Sequence, residues 1–190
     1  MKILIATYSE TGNTAQVGQA ICDEMLFRGH EVHLRDVGEI TAGTLTAYDL
    51  VFLGSACHDA DLARPVKQIL EQIPTSPTLK LAGFATHASY TPEGGDRERQ
   101  VHETWASRCA LSYRQASQDK GWDFLGYFGC QGAPSPAIEQ FIHSTIVTDE
   151  DEWAVYVDEV RQHPNEDDLR KAREFARAVV RGHERVVDSL

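Results

Sequence analysis

The sequence predicts an α/β protein built on a doubly wound, five-stranded parallel sheet. Three observations carry that expectation. Short apolar runs rich in branched residues recur along the chain, separated by helix-periodic stretches. Two of the runs, at 2–7 and 49–54, are close to continuously apolar, as strands buried on both faces must be. The 190 residues suffice for one domain of about 150 residues with an embellishment.

The elements follow in order. Residues 2–7 (Lys-Ile-Leu-Ile-Ala-Thr) form the first strand, and a turn with Gly12 leads into a helix that runs to about Arg28 and stops at Gly29. Residues 31–36 alternate like a strand with one covered face, and 49–54 (Asp-Leu-Val-Phe-Leu-Gly) form the third strand. A helix runs from about Leu62 to Ile73, with Pro65 in its first turn and Pro74 ending it. Residues 79–86 make the fourth strand. Beyond Pro92-Glu93-Gly94-Gly95, a single long helix is expected from about Asp96 to Asp119, followed by a fifth strand at 122–130. Asn165 caps the last helix, where Leu169, Ala172, Ala176, Val179, His183 and Val186 recur at helical spacing. Residues 131–164 are then a small helical and acidic insertion or lid before that helix, with a helix of its own from about Ala137 to Ile146. All of 1–190 reads as a single domain.

Aspartate and glutamate number 29 against 18 lysines and arginines, a net charge of −11. That balance disfavours a nucleic-acid backbone or an anionic membrane surface and favours a basic protein partner. Residues 149–168 alone hold nine acids and one base, Arg161. Trp153, Tyr156 and Val157 are interleaved with those acids, which predicts one packed face that covers the sheet edge or meets a second subunit in a homodimer. Cys22, Cys57, Cys109 and Cys130 stand far apart without zinc spacing, as reduced thiols of a cytoplasmic protein do. No apolar run approaches the ~20 residues of a membrane span, and the N-terminus lacks the pattern of a signal peptide.

Doubly wound sheets bind ligands beyond the carboxyl ends of their strands, where the strand order reverses. The loops after residues 7, 54 and 86 are therefore the candidate site. The first holds Ser9, Glu10, Thr11, Gly12, Asn13 and Thr14 between a strand and a helix. Helix N-terminal amides and hydroxyls suit a phosphate dianion. Gly12 permits a backbone conformation closed to other residues. Ser9, Thr11 and Thr14 offer hydroxyl hydrogens and Asn13 an amide hydrogen. The loop contains no lysine or arginine. Gly-Lys-Ser/Thr and GxGxxG are both absent, which argues against nucleotide hydrolysis and dinucleotide binding.

Thr7-Tyr8-Ser9-Glu10-Thr11-Gly12-Asn13-Thr14 resembles the phosphate loop of the flavodoxin family, and the resemblance extends over residues 1 to about 130 and resumes at the last helix. It implies FMN as cofactor, no catalytic side chain and no metal. By position, Ser55, Ala56, Cys57 and His58 would form the first loop touching the flavin ring. Thr86, His87, Ala88, Ser89 and Tyr90 would form the second, with Tyr90 stacking on the ring. Within 55–61 His58 is the only ring-bearing residue and glycine is absent. His58 and His87 would lie near each other, in contact with flavin or substrate. Glu10, Asp59, Asp61, Glu93 and Asp96 would surround the cofactor and lower its potential. The expected function is electron transfer through FMN. The alternatives are an FMN-dependent NAD(P)H reductase of a quinone or other small acceptor, and a flavin-free interaction module on the same fold.

Overall fold

In the computed structural model, which describes residues 1–75 and 78–187, the chain alternates strands and helices almost throughout. The strands are β1 (Lys2–Tyr8), β2 (Glu31–Asp36), β3 (Leu50–His58), β4 (Asp61–Leu62), β5 (Lys80–His87) and β6 (Asp123–Gln131). The helices are α1 (Asn13–Phe27), α2 (Ala42–Leu45), α3 (Arg64–Gln72), α4 (Asp96–Trp105), α5 (Arg108–Lys120), α6 (Pro136–Thr145), α7 (Glu150–Val160) and α8 (Glu166–Val187). Five strands form the expected parallel sheet in the order β2-β1-β3-β5-β6, and β4 pairs antiparallel with β3. The order reverses between β1 and β3, which places the switch point at their carboxyl ends.

The period-two alternation of the strands divides the core into two layers. Leu4, Ala6, Val51, Leu53 and Leu81 face α3, α5 and Trp122. Ile3, Ile5, Phe52, Ala82 and Phe84 face α1 and α8, where Ala172, Ala176 and Val179 supply the expected stripe. The side chain of Val186 lies outside the described residues. Close approach explains two glycines. A Cβ on Gly83 would stand 2.5 Å from the Tyr113 ring, and one on Gly54 would stand 2.3 Å from the Phe84 ring. Tyr113 is fully buried and donates its hydroxyl hydrogen to the Leu53 carbonyl at 2.8 Å.

Three elements differ from the sequence reading. The stretch 96–119 is two helices, broken at Ala106 (φ −139°) with no proline or glycine to mark it. The break separates two environments: α4 buries no residue, whereas α5 lays Cys109 and Tyr113 against the sheet. The third strand continues four residues past Gly54, because Cys57 and His58 pair with Leu62 and Asp61 in a hairpin. Leu62 therefore belongs to β4, and α3 begins at Arg64. The insertion is helical as expected, and its acidic half is α7, whose Tyr156 and Val160 are buried.

The β3–β4 hairpin turns on Asp59 and Ala60, with φ of 50° and 65°. Two left-handed residues are what a two-residue hairpin between right-twisted strands requires. Aspartate tolerates that conformation, and alanine does not. Ala60→Gly should raise stability by about 0.5–1 kcal/mol, the left-handed strain relieved less the extra entropy of glycine in the unfolded chain. Chemical denaturation of the two proteins measures it.

Candidate functional site

The carboxyl ends of β1, β3, β5 and β6 converge on one edge of the sheet. Gly12 stands just before α1 with φ 91° and no side chain caps the helix. The first amides of α1 are thus left for a ligand, the arrangement that favours an anion. Thr11 Oγ1 accepts from Asn13 Nδ2 at 3.0 Å, which leaves its own hydroxyl hydrogen to donate outward. The other expected donors of this loop divide by environment. Thr14 is buried and shares its hydroxyl with Thr86 at 2.8 Å, tying α1 to β5. The second Asn13 amide hydrogen goes to the Ala133 carbonyl at 2.8 Å. Ser9 is half-buried at the strand end, and Glu10 is exposed, accepting from the Tyr8 hydroxyl at 2.7 Å and lying 3.5 Å from His58 Nε2.

A cavity of about 390 Å³ opens beside this loop, walled by Thr11, Asn13, Ala56, His58, Thr86 and Ala133. Asn13 and the segment after β6 meet so closely that a Cβ on Gly132 would stand 2.8 Å from Asn13 Nδ2. The cavity wall includes no lysine or arginine; Glu10 and Asp59 are its carboxylates. Ser55 is fully buried and does not line it. Its hydroxyl accepts the Ala63 amide at 2.9 Å and donates to the Ala56 carbonyl at 2.7 Å, which fixes the β3–β4 hairpin. Asp61 also turns away, toward Lys67 at 3.1 Å and Ser112 at 2.6 Å. Burial pushes its carboxyl up, but the hydrogen bonds from Ser112, the Leu62 amide and Lys67 outweigh burial and hold it below the usual range.

A second cavity of about 330 Å³ adjoins the first and shares Cys57, Asp59, His87, Ala88 and Ile138 with it. Its remaining wall is largely carbon: Val101, Trp105, Phe141, Ile142, Val147 and Tyr156. Trp105 and Phe141 meet edge to face, with centroids 5.5 Å apart. Tyr90 lies here, edge-on to Tyr156 at 5.1 Å, and donates its hydroxyl hydrogen to Glu152 at 2.6 Å. Burial and that carboxylate both push the Tyr90 hydroxyl up, so it stays protonated. Glu152 also binds Arg97, and Tyr156 donates to the Ala88 carbonyl. Polar links of this kind dock α7 over the β5–α4 loop, so the acidic insertion supplies a wall of the site.

Cys57 donates its thiol hydrogen to the Trp105 carbonyl at 3.4 Å and packs against the layer containing Cys109, whereas Cys130 lies in the opposite layer. Hydrogen bonding to Cys57, then burial, raises the Cys109 thiol far out of the reactive range. Among the described residues, no group of three or more His, Cys, Asp or Glu is placed to hold a metal ion, and no helix is long and apolar enough to cross a membrane. The sequence reading missed the apolar wall and the Gly132–Ala133 clamp. The clamp follows β6, and the rule that pointed to the ends of the other strands applies to it equally.

A family model described as a flavodoxin domain matches residues 4–177. The chain is 27% identical over 184 residues to the flavodoxin-like domain-containing protein BilS of Clostridioides difficile, covering 93% of this chain and 95% of that protein. It is 22% identical over 169 residues to an uncharacterized protein of Methanocaldococcus jannaschii, covering 89% and 91%. Among solved structures, oxidised flavodoxin 2 from Bacillus cereus matches with a TM-score of 0.65 at 20% identity, over 96% of this chain and 99% of that one.

His87 lines both cavities, is 5% exposed and lies with its ring centroid 5.0 Å from that of His102. Burial, followed by the neighbouring His102, lowers its pKa to about 3. Against the ordinary value of about 6.5, the unfolded chain binds a proton over this interval that the folded chain refuses. The contribution to stability is therefore complete above about pH 6.5 and is lost as pH falls toward 3. Denaturation midpoints should fall between pH 7 and 4, while the His87 ring signals in NMR stay at their neutral positions.

Proposed function

Because the chain belongs to the flavodoxin-domain family, we propose that it binds FMN and passes electrons through it. The observation that carries this reading is the uncapped N-terminus of α1, opened by left-handed Gly12, at the switch point of the sheet and beside a cavity of about 390 Å³. The donors suit a phosphate ester, because amides and hydroxyls bind a dianion without a formal counter-charge. The α1 amides and the Thr11 hydroxyl would hold the phosphate. Ala56 to His58 and Thr86 to Ala88 border the volume left for the ribityl chain and ring. Bound FMN supplies the one- and two-electron chemistry, and the protein supplies position and field.

The remaining roles belong to the chain. Asn13 positions Thr11 and holds the 132–135 segment against the loop. The Thr14–Thr86 hydrogen bond sets the height of α1 against β5. Glu10 and Asp59 are the carboxylates on the cavity wall, so they, rather than the paired Asp61, raise the cost of added negative charge there. Glu93 and Asp96 lie outside both cavity walls. The net charge and the acids of α7 support a basic redox partner, and the four free cysteines suit a reducing compartment such as the cytoplasm.

Adding FMN to the flavin-free protein should quench the flavin's fluorescence at one equivalent. Thr11→Ala should weaken FMN binding by about 10- to 150-fold, the value of one hydrogen bond to a charged acceptor. Gly132→Ala should also weaken it by crowding Asn13. Absence of binding by the unaltered protein overturns the reading. In the loaded protein, Glu10→Gln combined with Asp59→Asn should raise the flavin midpoint potential by on the order of tens of millivolts, whereas Asp61→Asn should change it less. Spectroelectrochemistry compares the three.

A further inference from the structure

Two of the four cysteines meet where the β3–β4 hairpin packs on the start of α5. Two hydrogen bonds tie the hairpin down there. The Cys57 thiol donates to the Trp105 carbonyl at 3.4 Å, and Asp61 accepts from Ser112 Oγ at 2.6 Å. Cys109 sits between these ties. Its amide donates to the Ala106 carbonyl at 3.3 Å, one peptide beyond the carbonyl that Cys57 holds, and Ser112 follows it on the same face of α5. The Cys109 thiol donates its hydrogen to the Cys57 sulfur. Sulfurs in that contact come within reach of an S–S bond on rotation of their side chains.

The two thiols differ in access. Cys109 is fully buried, whereas Cys57 is half-buried and lines both cavities. A small oxidant entering either cavity therefore meets Cys57 first. Cys22 and Cys130 are buried in the opposite layer, across the sheet, so Cys57 and Cys109 have no other cysteine beside them.

We propose that Cys57 and Cys109 are a modification site: hydrogen peroxide closes them to a disulfide that tethers the β3–β4 hairpin to α5. The assignment needs no cofactor. In the first step an oxygen of the peroxide passes to the Cys57 sulfur. The O–O bond breaks, the sulfur loses two electrons and becomes a sulfenic acid, and one water is released. In the second step the Cys109 sulfur displaces the hydroxyl. The S–O bond of Cys57 and the S–H bond of Cys109 break, the S–S bond forms, and the hydrogen leaves with the hydroxyl as a second water. The contact sets this order. The Cys109 thiol keeps its proton chiefly because it donates to Cys57, so it is inert until Cys57 has been oxidised. Once bonded, Cys57 no longer donates to the Trp105 carbonyl at the α4–α5 break, and a residue common to both cavity walls is fixed to a helix.

The test treats the reduced full-length protein with hydrogen peroxide, unfolds it, labels it with N-ethylmaleimide and maps its peptides by mass spectrometry. Cys22 and Cys130 should take up the label. Cys57 and Cys109 should appear as one cross-linked peptide pair, lighter by two hydrogen atoms, and dithiothreitol should return both to the labelled form. Cys57→Ser should leave Cys109 fully labelled after the same treatment. Cys109→Ala should hold Cys57 at the sulfenic acid, which dimedone captures. The map of the unaltered protein decides the matter even where the Cys109 variant fails to fold. The assignment is overturned if peroxide carries Cys57 to a sulfinic acid without a cross-link, or if both thiols still take up label. It is also overturned if Cys57 joins Cys22, Cys130 or a second copy of the chain.

Discussion

A parallel sheet has no solvent face, and most of this structure follows from that constraint. Each of the central strands must be apolar on both sides, and each must be covered by helices that return the chain to the same end. The two core layers, with Leu53 on one side of β3 and Phe52 on the other, are the direct result. The rule is strict enough that glycine appears where a large ring must lie flat on the sheet, as Gly83 does beneath Tyr113. A sheet closed on both faces leaves its loops at the strand ends as the place for polar chemistry, and the candidate site occupies the carboxyl ends.

This constraint also explains what could be read from the residues alone. Continuous apolar runs at 2–7 and 49–54 identify buried parallel strands with little ambiguity, and the Gly12 turn placed between strand and helix marks where the first helix starts. The break between α4 and α5 was not legible, because Trp105, Ala106 and Ser107 are all compatible with a helix and only tertiary packing separates them. The hairpin after His58 was also hidden: Asp59 and Ala60 adopt left-handed conformations usually announced by Asn-Gly. The roles of individual polar side chains were the least legible. Ser55, Thr14 and Asn13 all had the right chemistry to touch a ligand, and the structure engages each with another part of the protein. Donor capacity is written in a residue type, but its direction is not.

The insertion changes the character of this end of the molecule. Its helices contribute Phe141, Ile142 and Tyr156 to a wall that shares His87 and Ala88 with the cavity beside the first loop. Arg161 on Glu139, at 2.6 and 2.8 Å, ties α7 to α6, and the contacts of Glu152 with Tyr90 and Arg97 hold α7 against the β5–α4 region. Part of the acidic surplus of the sequence is therefore engaged in docking the insertion, so formal charge overstates the free negative surface of α7.

The hydrogen bond from Asn13 to the Ala133 carbonyl joins residues 120 positions apart in sequence. The Ala133 amide in turn donates to the His163 carbonyl at 2.7 Å, at the far end of the insertion. Two hydrogen bonds meeting at Ala133 thus run from the first helix to both ends of the insertion. Free-energy linkage makes this arrangement reciprocal: an anion that orders the first loop must also favour the seated insertion, and by the same amount. The rate at which insertion amides exchange with heavy water would then be set in part by a ligand they never touch.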